Sequence, residues 1–332
     1  MTSRPRMRLG PLMGLLIGWL AAAPTGRSEA LRVRVGHFPN LTHAQALIGR
    51  ANGWFASRVQ APIEWQHFNA GPSAMEALLA GALDLAYVGP SPAINVFVRS
   101  KGQAIRVVDG AADGGALLIV RRDAGITTTK DFRGKKVAAP ELGNTQDVAL
   151  RHWLQANGLK PTAQGGDVEV LSVKNPEILS LFQRGSLDAA WVPEPWATRL
   201  LLEGHGAIFL DETSLWPEGR FPTVLLVART AFLQGHRDLV QQFVRAHVEL
   251  TGWIQQHPEE ARRAVNEGLA RWLGQALPEA VLQEAYGRIR FVTEPPREAL
   301  ATSARWAWEL GYLPGDTAPD LSGLFERPDP TR

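Results

Sequence analysis

The sequence predicts an α/β protein of two similar lobes followed by a helical block. Three observations carry this. First, 332 residues exceed what one small core needs, and 45% hydrophobic against 20% charged residues is an ordinary globular composition. Second, from Leu31 short β-type runs alternate with helical patterns, the order that builds a mostly parallel sheet covered by helices on both faces. Third, this order repeats. Sliding the chain by 104 residues lays Pro72 on Pro176 and the run Gly81-Ala82-Leu83-Asp84-Leu85-Ala86-Tyr87-Val88 on Gly185-Ser186-Leu187-Asp188-Ala189-Ala190-Trp191-Val192. Ala93 then falls on Ala197, and Asn40 on Asn144.

The elements follow in order. Residues 1–30 read as a signal peptide: Arg4, Arg6 and Arg8, an apolar run from Leu12 to Ala23, then Ser28-Glu29-Ala30 with small residues at −3 and −1. The apolar run is shorter than the ~20 residues of a membrane span. This leader holds a local charge of +3 out of a total of +2, so the rest is about −1 and offers no nucleic-acid surface. Cys is 0, which removes disulfides, thiolate metal sites, a cysteine nucleophile and a lipidated N-terminal Cys. The expectation is a soluble periplasmic protein, not a lipoprotein.

In the first lobe, strands are expected at 31–36, 63–68, 83–88 and 105–108, and helices at 42–52, 73–80 and 92–98. In the second, strands are expected at 136–139, 168–173, 187–192 and 207–210, and helices at 145–157, 176–183 and 195–203. In the repeat, Gly81 and Gly185 end helices, Leu83 and Leu187 begin strands, and Asp84 and Asp188 are read at the strand mouth. Strands 116–120 and 223–228 follow Gly- and Pro-rich stretches and suit hinge crossings between the lobes. Lobe I therefore spans 31–114 and 222–332, and lobe II spans 115–221. From Thr230 the pattern is all helical, with Pro258, Pro278 and Pro296 at helix starts, where a missing N–H costs nothing. The Pro-rich, charged end, 321–332, is expected to be loose.

Motifs of catalysis are missing: no His-Glu-x-x-His, Gly-x-Ser-x-Gly or P-loop, and His37, His43 and His67 are separated by strand and helix. Neither a metal, nor a cofactor, nor catalysis is expected. The chemistry lies in turns that each follow a strand's carboxyl end and open a helix, the place where α/β sheets bind ligands. They are Phe38-Pro39-Asn40-Leu41-Thr42-His43, Asn69-Ala70-Gly71-Pro72-Ser73, Gly89-Pro90-Ser91-Pro92, Glu141-Leu142-Gly143-Asn144-Thr145-Gln146 and Pro193-Glu194-Pro195-Trp196. Gly admits close backbone approach, and converging helix N-termini suit an anion. The candidate ligand residues are Asn40, Thr42, His43, Asn69, Gly71, Ser73, Gly89, Ser91, Asn144, Thr145, Gln146, Glu194, Trp196 and Thr223. No Arg or Lys falls within these turns, whereas Glu141 and Glu194 do; a carboxylate there could pair with an amine.

From Leu31 to about Pro314 the chain resembles the solute-binding subunits of ABC importers of the nitrate, taurine and alkanesulfonate type. The resemblance is carried by Gly36-His37-Phe38-Pro39-Asn40, Phe68 to Leu78, Gly81 to Gly89, Lys130 to Ala138, Gly143 to Asp147 and Trp191 to Ala197. It implies a two-lobed type II-like periplasmic binding protein fold, with Rossmann-like lobes joined by two crossings, that closes on its ligand and docks on a membrane permease. The expected ligand is a small organic anion, an aliphatic sulfonate or taurine first, with nitrate, bicarbonate or a pyrimidine vitamin precursor as alternatives. The protein is expected to act as a monomer. A biosynthetic enzyme on the same fold is the rival; the vitamin-forming relative uses a Cys-rich motif that is absent here.

Overall fold

The computed structural model describes residues 31–328, together with Thr2; the leader expected at 1–30 lies outside the described residues. The chain runs β1 (Val33–His37), α1 (Ala44–Ala51), β2 (Ile63–His67), α2 (Gly71–Leu79), β3 (Leu85–Val88), α3 (Pro90–Arg99) and β4 (Ile105–Gly114). It continues through β5 (Ala116–Arg121), β6 (Lys136–Ala139), α4 (Thr145–Ala156), β7 (Glu169–Ser172), α5 (Asn175–Gln183), β8 (Ala189–Pro193), α6 (Trp196–Leu202) and β9 (Gly206–Asp211). It closes with β10 (Pro222–Arg229), α7 (Thr230–Gly235), α8 (Arg237–Gln256), α9 (Pro258–Leu273), α10 (Glu279–Gly287), β11 (Ile289–Phe291) and α11 (Arg297–Glu309).

These strands form two sheets, ordered β11-β4-β10-β3-β1-β2 and β7-β6-β8-β5-β9. We call the material on each sheet the first and second lobe. The repeat read from the sequence has a structural counterpart. Within each sheet a parallel trio, β2-β1-β3 or β7-β6-β8, is flanked by an antiparallel strand, β10 or β5, that enters from the other lobe's side of the chain. The sheets are thus mixed rather than mostly parallel, because β5 and β10 enter at the carboxyl ends of their neighbours, Ala116 opposite Pro193 and Leu225 opposite Val88, and so run against the trio. Gly81 and Gly185 stand at φ +72° and +73° after α2 and α5, left-handed helix ends that only Gly adopts without strain.

Asp84 and Asp188 stand at the amino ends of β3 and β8, away from the strand mouths where the sequence put them. Each exchanges bonds with the neighbouring strand. Arg34 N donates to Asp84 Oδ2 at 3.0 Å, and Lys136 N donates to Asp188 Oδ2 at 2.9 Å. Asp84 is also buried against two guanidinium groups, Arg34 at 2.7 Å and Arg229 at 2.9 Å, which hold its carboxyl below the usual range against the desolvation that opposes them.

Alternation along β3 shows how the first sheet is covered. Leu85 and Tyr87 face a core shared with α1, α8, α9 and α10, and Ala86 and Val88 face one shared with α2, α3 and α11. The second sheet packs α5 and α6 on one face through Ile178, Phe182, Trp196 and Leu200. Its other face, with α4, joins the core of α3 and α11 through Val148, Trp153 and Trp306, so the lobes share apolar packing. The carboxyl-terminal third is not wholly helical, because β11 pairs antiparallel with β4. Nor does the stretch from 321 to 326 hang loose: Leu324 is fully buried, and Val107 exchanges backbone bonds with Leu324 (2.8 Å) and Glu326 (3.0 Å).

Candidate functional site

Carboxyl ends of β1, β2, β3, β6, β7 and β8 point at one another across the seam between the sheets, and their turns enclose a cavity of about 30 Å³. On the measure by which one water fills about 10–15 Å³, this is room for roughly two waters. Phe38, Asn40, Thr42 and His43 come from the turn after β1, Asn69 to Gly71 from the turn after β2, and Gly89 and Pro92 from the start of α3. Pro140, Asn144, Thr145 and Gln146 come from the turn after β6, Asn175 from the start of α5, and Pro193, Thr223 and Val224 from β8 and β10. Four helices, α2 to α5, thus begin at or beside the wall; a helix N-terminus carries about half a positive charge and unpaired N–H groups.

Ten of the fourteen residues expected from sequence line this cavity: Asn40, Thr42, His43, Asn69, Gly71, Gly89, Asn144, Thr145, Gln146 and Thr223. Ser73, Ser91, Glu194 and Trp196 do not. Ser73 Oγ donates to Ala70 O at 3.1 Å and stands 3.5 Å from Glu141 Oε2 of the opposite lobe. Ser91 is buried within the first turn of α3. The Glu194 carboxylate turns back into its own helix start, accepting from Thr198 N at 3.0 Å and Thr198 Oγ1 at 2.9 Å, and meets Arg288 of the first lobe at 3.3 Å. It is therefore no partner for a ligand amine at this cavity. Trp196 lies behind the wall, its Nε1 donating to Asn40 Oδ1 at 2.9 Å. The sequence reading missed Asn175, although the repeat pointed to it: the 104-residue shift that pairs Pro72 with Pro176 pairs Gly71 with Asn175.

Every side chain of the wall is neutral. His43 is buried, and desolvation together with nearby His37 pushes its pKa well below the ordinary value, so the ring is uncharged. Phe38 N donates to His43 Nδ1 at 3.3 Å, which leaves the ring proton on Nε2. Three buried polar atoms of the wall have no partner among the described residues: Thr42 Oγ1, Thr145 Oγ1 and Asn175 Oδ1. Since buried polar groups are normally paired, three orphans around one cavity mark where a ligand would bond. Thr223 differs, as its hydroxyl already donates to Gly114 O. Behind the wall, Asp147 is fully buried and gathers Gly143 N (2.9 Å), Arg151 Nε (2.8 Å) and Tyr312 OH (2.6 Å), the last from beyond α11. Among the described residues no group of three or more His, Asp or Glu could hold a metal ion.

The model of the NMT1-like family matches residues 26–270, most of the chain and every strand of the two sheets but β11. The chain belongs to the NMT1-like family. Within reach of this family member is the taurine-binding periplasmic protein of Escherichia coli (strain K12), 26% identical over 227 residues, 67% of this chain and 66% of that protein. Two solved structures share its fold. The alkanesulfonate-binding protein SsuA from Xanthomonas axonopodis pv. citri bound to MOPS superposes with a TM-score of 0.72 at 20% identity, covering 89% of this chain and 98% of that one. The periplasmic nitrate-binding protein NrtA from Synechocystis PCC 6803 superposes with a TM-score of 0.73 at 17% identity, covering 87% and 84%. This NMT1-like chain therefore has the two-lobed periplasmic binding protein fold, with its cavity at the carboxyl ends of both sheets.

Proposed function

We propose that the protein is the periplasmic substrate-binding component of an ABC importer, without catalytic activity, and that it binds a small monovalent organic anion with a sulfonate head. The observation that carries this reading is the neutral cage itself: two orphaned hydroxyls, Thr42 Oγ1 and Thr145 Oγ1, and the starts of α2, α3, α4 and α5 around one small cavity. Fixed dipoles stabilise a monoanion there without a counter-cation, and they bind a bare cation poorly. Likeness to taurine- and alkanesulfonate-binding proteins supports the same class of ligand.

Within that class, a simple alkanesulfonate is favoured over taurine. At this wall the ammonium of taurine would meet no carboxylate, since Glu194 is committed to Thr198 and Arg288, and would have the neutral Asn175 Oδ1 as its acceptor. A second reading, nitrate, is supported by the size of the cavity and by the likeness to the nitrate-binding protein. In either case the two lobes, residues 31–114 with 222–332 and residues 115–221, would close on the ligand and present the closed form to a membrane permease, the protein acting as a monomer. Calorimetric titration of the purified protein with methanesulfonate, taurine, MOPS, nitrate and bicarbonate, and with choline and glucose as a cation and a neutral sugar, tests this. Tightest binding of methanesulfonate or another amine-free sulfonate is expected; binding of a cation or a neutral sugar in preference to every anion would refute the reading.

A further inference from the structure

Asn40 and Asn144, which coincide when the sequence is shifted by 104 residues, face the cavity from opposite lobes. The carboxamide oxygen of each is already taken. Asn40 Oδ1 receives Trp196 Nε1 at 2.9 Å, and Asn144 Oδ1 receives Asp147 N at 2.7 Å. Indole and backbone N–H groups only donate, so the atom that faces each of them must be the oxygen, and the NH2 must face the other way. Asn144 Nδ2 stands 3.5 Å from Gln146 Oε1 with a second hydrogen to give, and among the described residues no protein atom receives a hydrogen from Asn40 Nδ2.

The two orientations have different origins. That of Asn144 is local, because its partner is three residues on in the same helix start. That of Asn40 comes from the opposite lobe, since Trp196 opens α6 while Asn40 follows β1, 156 positions earlier. Trp196 is itself held: it is nearly fully buried in the α5–α6 core, and the Arg199 guanidinium lies 5.1 Å from its ring. Trp196 also borders a second cavity of about 360 Å³ between α6 and the α9–α10 turn, which no wall residue of the first cavity lines.

We propose that Trp196 is a positioning residue: from the second lobe, its indole N–H fixes the Asn40 carboxamide so that Asn40 and its repeat mate Asn144 present a matched pair of NH2 donors to the bound anion. The inference rests on reading the cavity as an anion site. Its consequence is that the first lobe's donor is correctly turned only when the lobes are together. Without the indole N–H, the amide can rotate and offer its oxygen, which repels an oxyanion and accepts from a neutral amide.

A double-mutant cycle on the full chain tests this, with methanesulfonate and methanesulfonamide as probes and melting temperature followed in parallel. Trp196→Phe keeps the ring and removes the donor. It is expected to weaken methanesulfonate about tenfold and to narrow the preference for methanesulfonate over the neutral sulfonamide, whereas mere loosening of the wall would weaken both alike. Asn40→Ala is expected to cost about tenfold or more, and the double variant no more than Asn40→Ala alone. Additive losses, or an unchanged preference in Trp196→Phe, would overturn the positioning role while leaving the anion site standing. A wild-type protein that binds no anion of the panel would overturn both. Should Trp196→Phe not fold, the Trp196 indole N–H resonance decides. It is expected to shift between wild type and Asn40→Ala at saturating methanesulfonate, and an unmoved resonance refutes the bond.

Discussion

At the scale of the residue, the wall separates side chains that already have partners from those that have none. Thr42 and Thr145 carry buried hydroxyls without a partner, so Thr→Val at either position removes a group that costs the empty protein stability and serves the bound one. A hydrogen bond to a charged acceptor is worth about 1.5–3 kcal/mol, so each variant is expected to weaken anion binding roughly tenfold or more while the melting temperature of the ligand-free protein holds or rises. Titration and thermal melts of the same preparation check both. Ser91 gives the contrasting case: it stands in the α3 helix start and off the cavity wall, so Ser91→Ala is expected to leave affinity within about twofold. These distinctions were only partly legible in the sequence. Turn chemistry pointed to the loops that line the cavity, since Gly, Pro, Asn and Thr at strand ends have local reasons to be there. The direction of a side chain such as Glu194 is set by Thr198 and by Arg288, 94 positions away, which no local pattern contains.

At the scale of the element, the helix starts matter more than the helices. Gly89 caps the start of α3 in the first lobe, and an added Cβ would clash with Thr145 Oγ1 of α4 and meet Thr145 Cβ at 3.3 Å. Two helix N-termini therefore approach across the seam only because one of them lacks a side chain. Gly89→Ala is expected to leave each lobe folded, with an unchanged circular dichroism spectrum, and to lower ligand affinity at least tenfold by holding the lobes apart; wild-type affinity in this variant would contradict the close approach. Most helices and strands were readable from periodicity, because amphipathic patterns are local. The three-residue β11 was not: Ile289-Arg290-Phe291 is a strand only because β4 offers it an edge.

At the scale of the whole molecule, buried ionisable groups give stability a two-sided pH dependence. Burial raises Glu194 to about 7 and Glu212 to about 8, the latter although Trp191 Nε1 donates to it at 2.7 Å. Their folded values lie above their unfolded ones, so their contribution is complete below about pH 4.5 and is lost as pH climbs through 7 to 8. His37 and His247 are lowered to about 4 by burial, so theirs is complete above about 6.5 and is lost as pH falls through 4. A melting-temperature maximum near pH 5–6.5 is expected. Glu212→Gln should flatten the alkaline limb by up to about 1.4 kcal/mol per pH unit, which melts between pH 5 and 9 would show. The two-lobed plan also predicts a smaller radius of gyration in small-angle scattering when anion is added; an unchanged radius at saturation would count against closure. That plan was legible because the 104-residue repeat survives in Gly, Pro and Asp positions with mechanical duties. The mixed sense of the sheets was not, since β10 and β5 acquire their direction from the crossings.

The interleaving of the strands also sets an order of assembly along the growing chain. All five strands of the second sheet lie in one uninterrupted stretch, from Ala116 to Asp211. The first sheet cannot be completed until β10 and β11 follow, and β3 waits for partners such as Leu226 opposite Tyr87, far along the sequence. Contacts between distant residues close slowly because the loop entropy must be met first. The second sheet is therefore expected to gain amide protection before the first in pulse-labelled hydrogen exchange during refolding, and β3 to stay open until β10 arrives. A chain cut short between Val88 and Pro222 would leave β3 as an apolar sheet edge, the kind of surface on which aggregation starts.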